Sequence, residues 1–131
     1  MLRILIVDDS ASTRAFLRAA LEADAALAPL EIVEASSGFD ALRLLPRGPY
    51  DLVMTDINMP DINGFELVQF MRQSDRHRDT PIVIVSTQSS ERERARGFSL
   101  GANEFLGKPL SPAAVTHVVE KLFAARRSAE S

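Results

Sequence analysis

Short uninterrupted apolar runs alternate along this chain with segments whose apolar residues recur every three or four positions. The runs occupy residues 4–7, 31–35, 52–55, 82–85 and 104–106, and their length and β-branched content predict five buried strands. Between them Leu17, Ala20 and Leu21 form one helical stripe, Ala41, Leu42 and Leu45 a second, and Gly64, Leu67, Val68 and Met71 a third. The last helix has the clearest signature. Val115, Val118, Val119, Leu122 and Phe123 share one face, with Ser111 at the N-cap and Pro112 at the first helical position. Residues 91–100 are nearly all charge at their start; a helix is expected there because Gly101 can cap its end and parallel strands need a crossover between them.

This alternation predicts an α/β fold with a single doubly wound five-stranded parallel sheet and helices on both faces. Right-handed crossovers make the flavodoxin-like order 2-1-3-4-5 the common five-stranded form, although the pattern alone does not specify the order. A length of 131 residues suits one core. Residues 1–125 are expected to form that domain, and the Arg-, Ser- and Glu-rich residues 126–131 a frayed polar tail. The opening apolar run meets Asp8 and Asp9 too soon for a signal peptide, and no stretch approaches the length of a membrane span. A cytoplasmic location without membrane partners is the expectation.

Composition narrows the chemistry. A net charge of −3 and a pI near 5.4 provide no basic footprint for phosphate backbones, so nucleic acid is not an expected partner of this chain alone. Cysteine is absent, which excludes disulfide scaffolds and thiolate sites and leaves oxygen or imidazole to hold any metal.

All strands of a parallel sheet end on one edge, so the residues just after each apolar run meet in space. Those residues are Asp8 and Asp9 after the first run, Asp56 after the third, Ser86 after the fourth and, beyond Gly107, Lys108 after the fifth. Singly, each has a structural reading: Asp9 as a helix cap, Asp56 as a loop start, Ser86 as a turn hydroxyl, Lys108 as a solvated charge. Their agreement at four strand ends points to a site. Each close pair of like charges costs about 4 kcal/mol in a protein environment, so a further cation is required beside Lys108. An oxygen-only cluster suits a hard ion, Mg²⁺ or alternatively Mn²⁺. A carboxylate beside such an ion and an ammonium is equipped to attack phosphorus. The adjacent Asp8 and Asp9 read as metal holders, Asp56 as the nucleophile, and Ser86 as a donor to a phosphoryl oxygen.

Val-Asp-Asp at 7–9, Asp-Ile-Asn-Met-Pro at 56–60, Gly64, Ser86 and Lys108-Pro109 together resemble the receiver domains of two-component response regulators, especially the free-standing CheY type of chemotaxis. The resemblance covers nearly the whole chain. It implies phosphotransfer to Asp56 from a histidine kinase or a histidine phosphotransfer protein, with Mg²⁺ held by Asp8 or Asp9, Asp56 and the backbone carbonyl of Asn58. It also implies a cis bond before Pro109, joint movement of Ser86 and Phe105 on phosphorylation, and a protein partner on the face of the fourth helix, fifth strand and fifth helix. A monomer or weak dimer is expected. Three departures stand out: Thr87 where Ala or Gly is common, Phe105 in place of Tyr, and Asn58 and Gln88 at positions that in the family tune loss of the phosphate.

Several weaker signals remain. Asn63-Gly64 reads as a turn with positive φ. His77 lies in the polar run 72–79 and reads as exposed, and His117 has no ligand-like neighbour in sequence. The charged run 91–96 reads as a solvated helix face, although Arg92, Arg94 and Arg96 could also choose a partner electrostatically. Aspartyl-phosphate phosphatases form a competing class, but they place a second acid where this chain has Asn58, which cannot protonate a leaving group. Stoichiometric self-phosphorylation without turnover is therefore expected. A phosphorelay shuttle and a receiver belonging to a longer regulator are the remaining alternatives.

Overall fold

The computed structural model describes the backbone of residues 1–130 and the side chains of residues 1–125. Five strands, β1 (Leu2–Val7), β2 (Leu30–Ala35), β3 (Leu52–Thr55), β4 (Ile82–Ser86) and β5 (Glu104–Gly107), form one sheet in the order β2-β1-β3-β4-β5. Every pairing is parallel. Five helices connect and follow them: α1 (Ala11–Glu22), α2 (Gly38–Leu44), α3 (Gly64–Gln73), α4 (Glu91–Leu100) and α5 (Pro112–Glu130). The doubly wound α/β architecture is as expected. Two short 3₁₀ turns, Ala25–Leu27 and Leu45–Arg47, carry no periodic signal and were not foreseen. The expected frayed tail at 126–131 falls on side chains outside the described residues, as does all of Ser131; the backbone helix itself reaches Glu130.

Alternation along the strands divides the core in two. Leu5, Val7, Val53, Ile82, Ile84 and Phe105 face α2, α3 and α4, packing on Leu44, Leu67, Val68, Met71 and Leu100. Ile4, Ile6, Leu52, Met54, Val83 and Val85 face α1 and α5, packing on Leu17, Leu21, Val115 and Phe123. Because both faces are covered, β1, β3 and β4 are buried almost end to end.

Helix ends follow local chemistry. Ser10, Ser37, Asn63 and Ser90 each accept a bond from a first-turn amide, and Ser111 accepts one from Ala114. Gly101 closes α4 at φ 116°, the left-handed conformation expected of it. Two expectations are corrected. Asn63-Gly64 has no positive φ: Asn63 is the N-cap of α3 in a capping box with Glu66, and Gly64 is the first helical residue. Glycine is required there for space, since a Cβ would collide with the carbonyl of Asp56 and lie 2.9 Å from Ile57 Cα. His77 is buried, at 5% exposure. Arg72 Nη1 donates to the carbonyls of His77, Arg78 and Thr80, curling that loop so that His77 lies with Leu42, Leu45 and Phe70 around a cavity of about 200 Å³. Desolvation there, with Arg76 nearby, lowers the pKa of His77.

Candidate functional site at the carboxyl edge of the sheet

β1 and β3 are neighbours in register, Val7 opposite Thr55, so both run out at the same rim. Asp8 N–H donates to Ala35 O, and Asp56 N–H donates to Val7 O, which fixes both backbones just past the strand ends. On the far side Ser86 pairs with Gly107, and Lys108 N–H donates to Ser86 O, delivering the lysine from β5. The Lys108–Pro109 bond is cis, as the resemblance implied; the Ala28–Pro29 and Gly48–Pro49 bonds are cis as well.

The side chains converge as the strand ends predicted. One carboxylate oxygen from each of Asp8, Asp9 and Asp56 lies within 4.8 Å of the others. Asp8 and Asp56 are buried, at 1% and 7% exposure, while Asp9 is exposed. Lys108 Nζ donates to Asp8 Oδ2 at 3.2 Å and lies 3.6 Å from Asp56 Oδ2. Ser10 N–H donates to Asp8 Oδ1 at 2.8 Å, and Ile57 N–H to Asp56 Oδ1 at 2.7 Å, so each buried carboxylate has one oxygen held by backbone. Three carboxylates thus face one ammonium. Burial raises the pKa of Asp8, Asp56 adds to that, and the Ser10 amide and Lys108 oppose it without cancelling it. The uncompensated charge and the all-oxygen donor set fit a hard divalent cation.

Ser86 is fully buried at the end of β4, its Oγ accepting from Gln88 N–H at 3.1 Å. Thr87 and Gln88 are exposed beside it, and Asn58 is exposed two residues beyond Asp56. Phe105 is buried on β5, facing α4.

Two residues that shape the rim, Arg14 and Asp61, escaped the sequence reading, and Arg94 was read only as a charge that could choose a partner. Arg14 Nη1 donates to Asp8 O at 2.6 Å while its Nε bonds Glu34, pinning the β1 exit to the edge strand. Asp61 accepts from Gly38, Phe39 and Ile62 N–H, tying the loop after Asp56 to the start of α2. Desolvation of its carboxyl is outweighed by these amides and by Ser37, which together lower its pKa to about 2. Arg94 spans Ser89 and Phe105. Arg14 and Asp61 act on segments 20 or more positions away, so no local motif marks them.

Comparison with known proteins agrees with this geometry. The response regulator receiver domain family matches residues 4–120. The chemotaxis response regulator CheY4 of Vibrio cholerae superposes with a TM-score of 0.84 at 30% identity, covering 93% of this chain and 98% of that one. A response regulator from Chloroflexus aurantiacus superposes with a TM-score of 0.85 at 29% identity, covering 94% and 98%. The transcriptional regulatory protein SrrA of Staphylococcus aureus is 34% identical over 119 residues, 91% of this chain but 46% of SrrA, so the chain spans about half the length of the curated relatives it matches. Among the described residues no helix is long and apolar enough to cross a membrane. An acidic triad and a lysine at one sheet edge, in a chain matched over 117 residues by that family, 4 through 120, identify this protein as a member of the response regulator receiver domain family.

Proposed function

We propose that residues 1–125 form a phosphorylation-controlled receiver unit in which Asp56 accepts a phosphoryl group from the phosphohistidine of a histidine kinase or histidine phosphotransfer protein. The carrying observation is the placement of Lys108 Nζ against both Asp8 and Asp56, within a cluster of three carboxylates. In the transfer a bond forms between an Asp56 carboxylate oxygen and phosphorus as the phosphorus–nitrogen bond of the donor breaks, and the imidazole leaves with a proton from solvent. Asp8, Asp9, Asp56 and the Asn58 carbonyl would hold Mg²⁺, or Mn²⁺ in its place, which when bound neutralises charge on the phosphoryl oxygens. Lys108 does the same with its ammonium, which already stands against Asp8 and Asp56. Ser86 donates its hydroxyl to a phosphoryl oxygen, Phe105 follows that movement, and the exposed Asn58, Thr87 and Gln88 govern access of water and donor. The unit is a switch rather than a turnover enzyme.

Phosphorylation then alters a protein-binding face on α4, β5 and α5. Two pathway readings have support. The likeness to CheY4, a chemotaxis response regulator, favours a motility-type regulator, and the half-length match to SrrA favours the receiver part of a transcriptional regulator. Radiolabelled acetyl phosphate tests the shared core of both. One phosphoryl group per chain is expected with Mg²⁺, none with chelator and none in Asp56→Asn. Full labelling of Asp56→Asn, or continuous hydrolysis of a small aryl phosphate, would overturn the proposal.

A further inference from the structure

Arg94, half-buried in the second turn of α4, reaches back over the end of the sheet. Its Nε donates to Ser89 O at 3.2 Å, its Nη1 to Phe105 O at 3.4 Å, and its guanidinium carbon stands 4.9 Å from the centroid of the Phe105 ring. Nothing on the β5 backbone intervenes, because a Cβ on Gly107 would already lie 3.0 Å from Ser89 Cβ and 3.5 Å from Arg94 Nη2. The ring also packs directly on α4 at Gly97, where a Cβ would come 3.5 Å from Phe105 Cδ2. Phe105 therefore meets α4 at two places, the backbone at Gly97 and the Arg94 guanidinium.

The partners of this cation are two carbonyls and a ring rather than a carboxylate. Among the described residues Arg94 makes no ion pair, whereas Arg14, Arg18 and Arg43 each meet a carboxylate. Its neighbour Glu93 accepts instead from Ser90 Oγ at 2.7 Å. A planar fork that serves two carbonyls on different segments and stacks on a ring fixes geometry more than it balances charge.

We propose that Arg94 is the positioning residue that ties the β4–α4 loop and Phe105 to one group, so that neither leaves its resting place without loosening the other. The inference rests on the reading above in which Ser86 and Phe105 respond to phosphorylation. Ser89 lies three residues beyond Ser86, so drawing Ser86 toward a phosphoryl group pulls Ser89 O off the guanidinium. The same guanidinium then loses its seat over the ring, and contacts that share one partner are lost together rather than independently. Arg94 touches neither phosphate nor metal in this scheme; it sets the cost of leaving the resting arrangement.

The test titrates beryllofluoride with Mg²⁺ into the full chain while the Phe105 ring resonance is followed by NMR, assigned by its absence from Phe105→Leu. Wild-type protein is expected to show that resonance moving on saturation. In Arg94→Ala it should start part-way toward the saturated position, and the beryllofluoride midpoint should fall about five-fold, as loss of one cation–π contact allows. Arg94→Lys keeps a charge but lacks the fork, so it should fall between the two; with Arg94→Gln it carries the comparison if circular dichroism shows the alanine variant unfolded. Variants matching wild type in starting position and midpoint, or binding beryllofluoride more weakly, overturn the Arg94 tie alone. Wild-type protein that binds beryllofluoride with no movement of Phe105 overturns the switch reading and this proposal with it.

Discussion

Helices α3 and α4 are each ten residues long and both flank the acidic rim, yet they are held in opposite ways. α3 buries Gly64, Phe65, Leu67, Val68 and Met71, closes its first turn with a capping box, and starts against the backbone of Asp56 and Ile57. α4 buries only Gly97. Leu100 packs only partly against the core, and the other attachments are Arg94 on Phe105 and Arg96 stacked 4.4 Å from the Phe65 ring. Apolar burial rigidifies, while a few carbonyl and cation–π ties leave an element near the low end of local stability. The rim therefore has a fixed side that holds the acids and a yielding side that can report on them.

The strongest way to break the fixed side is Gly64→Ala. A methyl group there meets backbone that cannot turn aside, so the variant should lose more than about 4 kcal/mol of stability in urea unfolding, and a loss within the ordinary surface range would refute the steric account. Met71→Ala sharpens the contrast: it should cost about 3 kcal/mol, whereas Arg92→Ala on the exposed face of α4 should stay within about 0.5 kcal/mol. Equal costs at the two positions would remove the distinction between the helices.

Charge at the rim gives a smaller effect of opposite sign. Because the folded pKa of Asp8 is raised, its ionised form is less favourable in the fold than in the unfolded chain, and its contribution is most favourable below its ordinary pKa of 3.8 and declines as pH rises through the raised value. Asp8→Asn should therefore stabilise the protein near neutral pH in metal-free buffer, by about 1 kcal/mol, with the gain vanishing as pH falls below that ordinary pKa. Destabilisation at neutral pH would show that Lys108 already compensates the cluster. Asp61 has the reverse sign: with its pKa lowered from 3.8 to about 2, the loop tie contributes fully above the ordinary value and is lost as pH falls through the depressed one. The stability gap between wild type and Asp61→Asn should be flat above that window and close within it; a gap independent of pH would mean the amides do not depend on the carboxylate charge.

These asymmetries were only partly legible in the sequence. Strand positions and the meeting of Asp8, Asp9, Asp56 and Lys108 could be read because a parallel sheet sends every strand end to one edge, so position after an apolar run translates directly into place. The helical span 91–100 was likewise recovered, from Gly101 and the need for a crossover. Asn63-Gly64 shows a motif giving the right residue for the wrong reason: the dipeptide signals a turn, but the glycine answers to a carbonyl brought near by tertiary packing. His77 was misplaced because a polar run does not show that its own first residue, Arg72, gathers the loop carbonyls and turns His77 inward. The run 91–96 looked uniformly solvated, although Arg94 and Arg96 lie on aromatic rings contributed by other elements. Long-range partners of single polar side chains leave no periodic trace.

Hydrogen exchange of the full chain, with and without beryllofluoride and Mg²⁺, tests the division most directly. The amides of residues 87–100 and of β5 at Phe105 should change their protection on saturation, while those of α3 beyond its first turn keep theirs. Changes centred on α3, with the β4–α4 loop and α4 unaffected, would contradict the account.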